Sequence, residues 1–543
     1  MIYFLEKKLN FRLNVTKYPG AILAILISIG YILATYGPHF IIGDSSFWMS
    51  EVDDVTQYIS GFNMYLSSPW NFPLLAFDSL NYPQGTRVTF VDAIPIYSFV
   101  LKLLLPENIA PFNPFGYWIA LCLLLQGISA WWITKELNVN SWLFFILLLL
   151  TFLTYPALLA RIGHISLMSH WVLLFSLALY IRGRRQKKLS IGIWTILLVS
   201  IFYINIYLFV MASGIYFAAI FSNKQKFSIG LILKCLIPFL TLTASLFIFL
   251  LPLPSDGIAR DTGFGFYSMN LLSPFTGGRF IQLQATIMPG QYEGFNYLGL
   301  GVIIAFFASL FLIKDNNNHC LRNNWQLMIL LLGYFVYSLS DNVYFGSQLV
   351  MIIDYPAILD SITSQFRVSG RFFWPVGYCI VIFSFLMLYK YFKNRTIIYI
   401  AIMISITMLQ IMDVKNHYKK LKDTLSRESI SKINYSAWDG VIGNDVKTLY
   451  IYPKFKCGGD PNNTILPVMK YAAYRNLNLN TGYISRHNPT CDNLESEIKQ
   501  SSRTNSAYIF VKGESQKMDV LNKIFPAEKP PVCNEVDFAY ICR

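Results

Sequence analysis

Carboxylates crowd the stretch Gly43-Asp44-Ser45-Ser46-Phe47-Trp48, Glu51 and Asp53-Asp54-Val55-Thr56-Gln57, ahead of an aromatic amphipathic run from Tyr58 to Trp70. At a membrane surface, an acid beside aromatic rings is suited to take a proton from a hydroxyl or to hold a cation. Taken singly, Asp44 and Glu51 read as solvated loop acids. The adjacent Asp53 and Asp54 read as a working pair, and Asp92, just before Ile94-Pro95, is a further acid-base candidate. Downstream, Arg161-Ile162-Gly163-His164 precedes His170-Trp171; on a helix Arg161 and His164 share a face, and the group suits an anion. The bland alternatives are an arginine reaching for water and a histidine hydrogen-bonded inside a bundle. The stretch 252–296 supplies Arg260-Asp261, the run Gly263-Phe264-Gly265-Phe266-Tyr267-Ser268-Met269-Asn270, Arg279, and Gln291-Tyr292-Glu293-Gly294-Phe295-Asn296-Tyr297. Glycines alternating with aromatics fit a tight loop as well as a substrate wall; Glu293 stands beside rings of the kind that stack on a sugar. Arg367 and Arg371, if helical, lie one turn apart and present two cations for which a lipid phosphate is the natural partner. Headgroup anchoring is the alternative there.

The elements that must position these residues are membrane helices. The chain has 543 residues, 54% hydrophobic and only 14% charged, against roughly 25% charged in soluble domains, which excludes an ordinary cytosolic enzyme. Apolar runs able to cross the ~30 Å core, ~20 helical residues each, lie near 19–40, 114–133, 141–159, 165–182, 189–203, 205–221, 228–251, 297–313, 325–340, 373–391 and 396–413, which makes eleven spans. The segment Lys7, Lys8, Arg12, Lys17 leads into the first of them, whose apolar run is too long for a signal-peptide core. The net charge of +14 sits in short clusters between spans, so it reads as topology and not as a nucleic-acid surface. Placing Arg182, Arg184, Arg185, Lys187 and Lys188 inside, together with Lys224, Lys226, Lys314, Arg322, Lys390, Lys393 and Arg395, requires that the short run 94–105 only dips into the outer leaflet. The outer face then receives 43–113, 252–296, 341–372 and the tail.

A small α/β domain is expected over 414–543, following a membrane domain over 1–413. The tail holds Cys457, Cys491, Cys533 and Cys542, whereas Cys122, Cys235 and Cys379 fall in spans and Cys320 in an inner loop. Four cysteines in an outer domain predict two disulfides in an oxidising compartment, with the pairing left open. Zinc-type spacing is absent from the sequence.

Together these features resemble the GT-C superfamily, integral membrane glycosyltransferases that take a sugar from a polyprenyl-phosphate carrier. More narrowly, Asp54-x-x-Gln57, Ser67-Ser68-Pro69-Trp70-Asn71-Phe72-Pro73, Asp92-Ala93-Ile94-Pro95, Arg161-x-Gly-His164, the run Gly263 to Asn270, Glu293-Gly-Phe-Asn-Tyr-Leu-Gly and Ser369-Gly-Arg-Phe-Phe-Trp-Pro resemble an uncharacterised bacterial family of GT-C-like membrane proteins. The resemblance implies a GT-C-like bundle with interfacial helices in the first outer loop, and a first-loop carboxylate acting as base or metal ligand. Asp54 fits that place best. The dyad departs from the Asp-x-Asp or Glu-x-Asp spacing of metal-using members, so Mg or Mn at Asp53 and Asp54 stays an open option.

The expected reaction is an inverting transfer at the outer face of a bacterial inner membrane, from a polyprenyl-phosphate-linked sugar to a glycan, lipid or protein acceptor, with Asp54 as base and Asp53 and Asp92 behind it. Gln57, Arg161, His164, His170, Arg260, Tyr267, Asn270, Glu293, Arg367 and Arg371 are the substrate-binding candidates. A lipid-linked-sugar flippase would need polar residues deep in the bundle, whereas most spans are apolar to their centres. A non-catalytic envelope scaffold would not explain acids, histidines and paired arginines gathered on one face. The topology is testable by single-cysteine labelling: residues 183–188 should react only from inside and residues 43–54 only from outside, and outside labelling of 183–188 would overturn the assignment of faces.

Overall fold

The computed structural model describes residues 14–106, 109–222, 229–254, 259, 262–312, 322–513, 519–525 and 531–543. Lys7, Lys8, Arg12, Lys224, Lys226, Arg260, Lys314 and Cys320 lie outside the described residues. Among the described residues, seven helices are long and apolar enough to cross a membrane: Tyr18–Thr35, Phe115–Glu136, Trp142–Leu159, Ile165–Gln186, Ile229–Phe249, Ser369–Phe392 and Thr396–Asp413. Four of the expected runs form shorter apolar helices, Ile191–Phe202, Ile206–Ser222, Leu300–Leu312 and Trp325–Leu339. Pro95–Leu104, at ten residues, is far too short to span, since ~1.5 Å per residue gives only ~15 Å.

The chain divides into two compact units that do not follow sequence order. The first comprises 1–38, 118–241 and 260–424; the second comprises 39–117, 242–259 and 425–543. In the first unit, helices Trp142–Leu159, Ile165–Gln186 and Ser369–Phe392 are buried over most of their length, whereas Tyr18–Thr35 and Thr396–Asp413 keep most of their apolar surface exposed. That is the pattern of a bundle whose outer helices face lipid. Small side chains allow close helix approach: a Cβ at Gly127 would meet Ser28 Oγ at 2.0 Å. Basic connectors gather at one end. Arg185 pairs with Glu136 at 2.5 Å, and Arg184 donates to the carbonyls of Ser222 (2.6 Å) and Asn323 (2.7 Å).

The second unit combines the first long loop with the tail. Its five-stranded sheet runs Asn478–Leu479, Thr448–Tyr452, Ser506–Val511, Ala539–Cys542, Cys533–Val536, with the first three strands parallel and the last two antiparallel. Tyr450, Tyr452, Tyr508, Phe510 and Leu521 form a core on one face. Helix Asp54–Ser67 buries eleven of its fourteen residues, so it is a core element rather than an amphipathic wall open to lipid. Its C-terminal end is capped by buried Lys102, whose Nζ donates to the carbonyls of Tyr65 (2.6 Å) and Ser68 (2.8 Å), as the helix dipole favours. Cys457 is bonded to Cys491 and Cys533 to Cys542, which supplies the pairing that the sequence left open.

Non-reducing mass mapping should therefore yield linked peptides 457–491 and 533–542; four free thiols would overturn the pairs and the oxidising compartment. Loss of the 457–491 bridge, which closes 34 residues, should lower the stability of the sheet unit by about 2–4 kcal/mol, read as increased proteolysis of residues 448–542 in the full chain.

Candidate functional site

The first unit holds an ionic cluster built around one carboxylate. Glu293, in the short helix Pro289–Gly294, has a side chain only 3% exposed. Its Oε2 accepts from Arg161 Nη1 at 2.5 Å and from Arg371 Nη2 and Nε at 2.9 and 3.1 Å; its Oε1 accepts from His164 Nε2 at 2.9 Å. Arg161 Nη2 also donates to the Tyr292 carbonyl at 3.0 Å. Two fixed positive charges meet one negative charge. The net is +1 with His164 neutral and +2 with it protonated.

Backbone geometry explains why these side chains meet. Arg161 and His164 lie on a turn between Pro156–Leu159 and Ile165–Met168, not on one helix face, yet both reach Glu293. Glu293 and Arg371 are joined through their neighbours. A Cβ at Gly370 would sit 2.5 Å from Gly294 Cα, and one at Gly294 would sit 2.1 Å from the Ser268 carbonyl. Only glycine permits that approach. Asn296 Nδ2 staples the two strands of chain, donating to the carbonyls of Gly294 (3.0 Å) and Gly370 (2.8 Å). In the sequence Gly294, Asn296 and Gly370 are only neighbours of the charged candidates; in the structure they make the close crossing. Burial alone would push the Glu293 carboxyl up, but the Arg371 and Arg161 guanidiniums, with His164, hold it well below the usual carboxylate range.

Arg367 and Arg371 do not form a two-pronged helical pair. Arg367 precedes the 3-10 turn Ser369–Phe373; its Nη1 donates to the Thr262 carbonyl at 2.8 Å and its guanidinium lies 5.3 Å from the Tyr267 ring. Arg371 also lies over the Tyr207 ring, 5.0 Å from its centroid, a contact with a residue that the sequence did not nominate. Asn270 is buried and clamps a turn, donating to the Gly346 carbonyl at 2.9 Å while its Oδ1 accepts the Gly346 N–H at 3.1 Å. His170 is fully buried: its ring is 4.2 Å from Trp374, and its Nδ1 is 2.9 Å from the Tyr378 hydroxyl, which also accepts from Gln126 Nε2 at 2.9 Å.

The acidic candidates belong to the second unit. Asp53 is the N-cap residue of helix Asp54–Ser67, and its Oδ2 accepts from Ser50 Oγ at 2.7 Å; Asp54 occupies the first turn, where the helix dipole favours an anion. The tail holds this segment in place. Glu51 accepts the backbone N–H groups of Lys432 (2.6 Å) and Ile433 (3.2 Å), Lys470 Nζ donates to the Met49 carbonyl at 2.5 Å, and buried Gln57 donates to the Tyr483 carbonyl at 2.9 Å. Asp92 has φ +55, and its carbonyl accepts the Ile94 N–H at 2.8 Å. Candidate Arg260 lies outside the described residues. Among the described residues, no three His, Cys, Asp or Glu side chains converge as a metal site. A cation held by Asp53 and Asp54 would take its other ligands from substrate or water.

A family model described as Domain of unknown function (DUF6311) matches residues 25–415, and one described as DUF6311 C-terminal domain matches residues 437–543. No curated protein matches the chain.

The cluster predicts an asymmetry in stability. Glu293→Gln leaves two guanidiniums without their counter-charge and should cost about 3–5 kcal/mol, seen as a lower Tm in detergent. Arg371→Gln should cost less, because Arg161 still neutralises Glu293 and the Arg371 side chain is already 11% exposed. The native carboxyl pKa is depressed, so its contribution is full above the ordinary glutamate range and is lost only as pH falls through the native value. Acid unfolding of Glu293→Gln should accordingly lack that component.

Proposed function

The chain belongs to the DUF6311 family, and from the chemistry of its own site we propose that it is a GT-C-like membrane glycosyltransferase. It would move a sugar from a polyprenyl-phosphate carrier to a cell-envelope acceptor at the outer face of a bacterial inner membrane. The observation that carries this reading is the net positive cluster of Arg161, His164 and Arg371 on Glu293, where a buried carboxylate presets the cations. Excess positive charge beside apolar helices suits a lipid-borne phosphate. The basic connectors also support it: Arg184 and Arg185 occupy the opposite end of helix Ile165–Gln186 from the His164 end, as a cytoplasmic face requires. In this reading the four shorter apolar helices complete a bundle of eleven spans, with Pro95–Leu104 interfacial and the sheet unit outside.

The proposed step is an inverting displacement. The acceptor hydroxyl gives its proton to a carboxylate base, the role for which Asp54 is the candidate from the sequence, its oxygen attacks the anomeric carbon, and the bond from that carbon to the phosphate oxygen breaks, releasing polyprenyl phosphate. Arg371 and His164 stabilise the leaving phosphate. Arg161, almost fully buried, acts through Glu293 and positions the other two. A lipid-linked-sugar flippase is the second reading, favoured by the buried polar chain His170, Tyr378 and Gln126.

Purified protein in nanodiscs, supplied with a polyprenyl-phosphate sugar, separates these readings. Transfer should be seen with wild type, and Asp54→Asn should lower it ~10²–10⁴-fold, the usual contribution of a general base, without loss of folding. Arg371→Gln should weaken carrier binding as well as turnover. Carrier translocation without transfer would favour the flippase, and absence of carrier binding to wild type would overturn both.

A further inference from the structure

The loop between helices Trp325–Leu339 and Ser369–Phe392 carries an antiparallel hairpin, Asn342–Phe345 paired with Gln348–Ile352, whose second strand is exposed at every residue. The exposed side chains are Leu349, Val350, Met351 and Ile352, the last two on opposite faces by strand alternation, with Val350 60% and Ile352 62% exposed. Beyond it Ile358 is 85% exposed and Ile362 is half exposed. Residues 342–353 contain no charged side chain, and no Lys or Arg occurs from 341 to 366. In water, a two-faced apolar strand with an open edge is an aggregation hazard.

Its position argues for the occupant. Helix Trp325–Leu339 exposes Trp325, Met328, Ile329, Leu332 and Val336, the i, i+3, i+4 stripe of a lipid-facing helix, and that stripe ends a few residues before the hairpin. A second stripe, Ile304, Phe307 and Phe311 on Leu300–Leu312, continues through the Phe275–Phe307 ring contact at 6.4 Å into exposed Phe280, Leu283 and Ile287. The two loops meet at the turn, where Asn270 clamps Gly346 and a Cβ on Gly346 would lie 3.5 Å from the Gln284 carbonyl. One apolar surface thus extends the two lipid-facing stripes beyond the helix ends.

We propose that hairpin 342–352, with segment 280–287, is an apron inserted at the headgroup–acyl boundary of the bilayer. Unpaired edge N–H and C=O groups bar it from the hydrocarbon centre, where no water reaches them, and set its depth at the interface. In the chain, segment 280–287 leads on to Glu293, and the stretch after the hairpin leads to Arg367 and Arg371.

Nitroxide labels at Val350→Cys and Ile352→Cys, read by power saturation in phosphatidylglycerol–phosphatidylethanolamine nanodiscs, test the apron; Ser496→Cys, exposed on helix Leu494–Gln500, is the aqueous control. Both hairpin labels should keep oxygen access and lose access to the water-soluble nickel relaxant relative to residue 496. Nickel access equal to the control would put the hairpin in water and overturn the proposal. Labels shielded from both reagents would mean that protein covers the hairpin, and would overturn it as well. Wild-type thermal stability in each labelled variant shows that the readout is of the native fold.

Discussion

Withdrawing a carboxylate from water costs several kcal/mol unless cations accompany it. Glu293 is withdrawn almost completely, and the surrounding structure follows from meeting that cost. Three separate stretches, 161–164, 292–296 and 370–371, must come within hydrogen-bond reach of one side chain. Their backbones can do so only where two residues lack a Cβ, at Gly294 and Gly370, and where Asn296 satisfies the carbonyls exposed by the crossing. The starts of helices Ile165–Gln186 and Ser369–Phe392 are both tied to Glu293, the one through His164 and the other through Arg371. An ion pair of this kind is a poor net source of stability compared with apolar packing, but it specifies one arrangement of the loops, because any slip strands a charge.

Residue types at this site were legible in the sequence; their partnership was not. Arg161, His164, Glu293 and Arg371 stand out as charges set among apolar neighbours. Yet Arg161 and Glu293 are 132 positions apart and Glu293 and Arg371 are 78 apart, separations over which local periodicity carries no information. Arg367 shows the opposite error. A spacing of four suggested a shared helix face with Arg371, but residues 366–368 are not helical, and Arg367 turns instead to Thr262 and Tyr267. Gln57 and Asn270 look alike in sequence terms, as polar side chains in promising runs; each is spent on backbone groups, Tyr483 and Gly346. Hydropathy located the apolar runs well because it sums over ~20 residues. It did not resolve which would fold as helices of eighteen or more residues. The runs 189–203 and 205–221 form helices of only twelve and seventeen residues; Asn205 between them accepts the Tyr207 N–H at the start of the second and donates to Ser166 Oγ.

The second unit was the least legible part. The acidic loop, at residues 49–57, and the tail segments that fix it, at 432–433, 470 and 483, are separated by 381 to 426 positions. A helical wheel of Asp54–Ser67 shows one polar face, which suggests an interfacial helix. What covers the rest of it comes from the other end of the chain, so eleven of its residues are buried. The disulfide pairs were equally invisible to spacing, although the four tail cysteines did announce two bridges.

A carboxylate at the centre of a proposed phosphate site needs a reason, and charge supplies one. Arg161 and Arg371 repel each other, and burial lowers the Arg161 guanidinium pKa, so without Glu293 two cations would face each other uncompensated. With it, they are preorganised and the cluster keeps a net positive charge. A polyprenyl-phosphate sugar is a phosphodiester with one negative charge. The departing polyprenyl phosphate is a monoester that approaches two, with a second pKa near ~6. Negative charge therefore grows on the phosphate as the glycosidic bond breaks, and a fixed positive excess binds the leaving group more strongly than the donor. Catalysis requires that difference, because an interaction equal in ground and transition states lowers no barrier. His164, 27% exposed where Arg161 is 2%, stands on the open side of the cluster. On the proposed reading the buried arginine would hold the frame, and the partly exposed histidine and Arg371 would meet the changing charge.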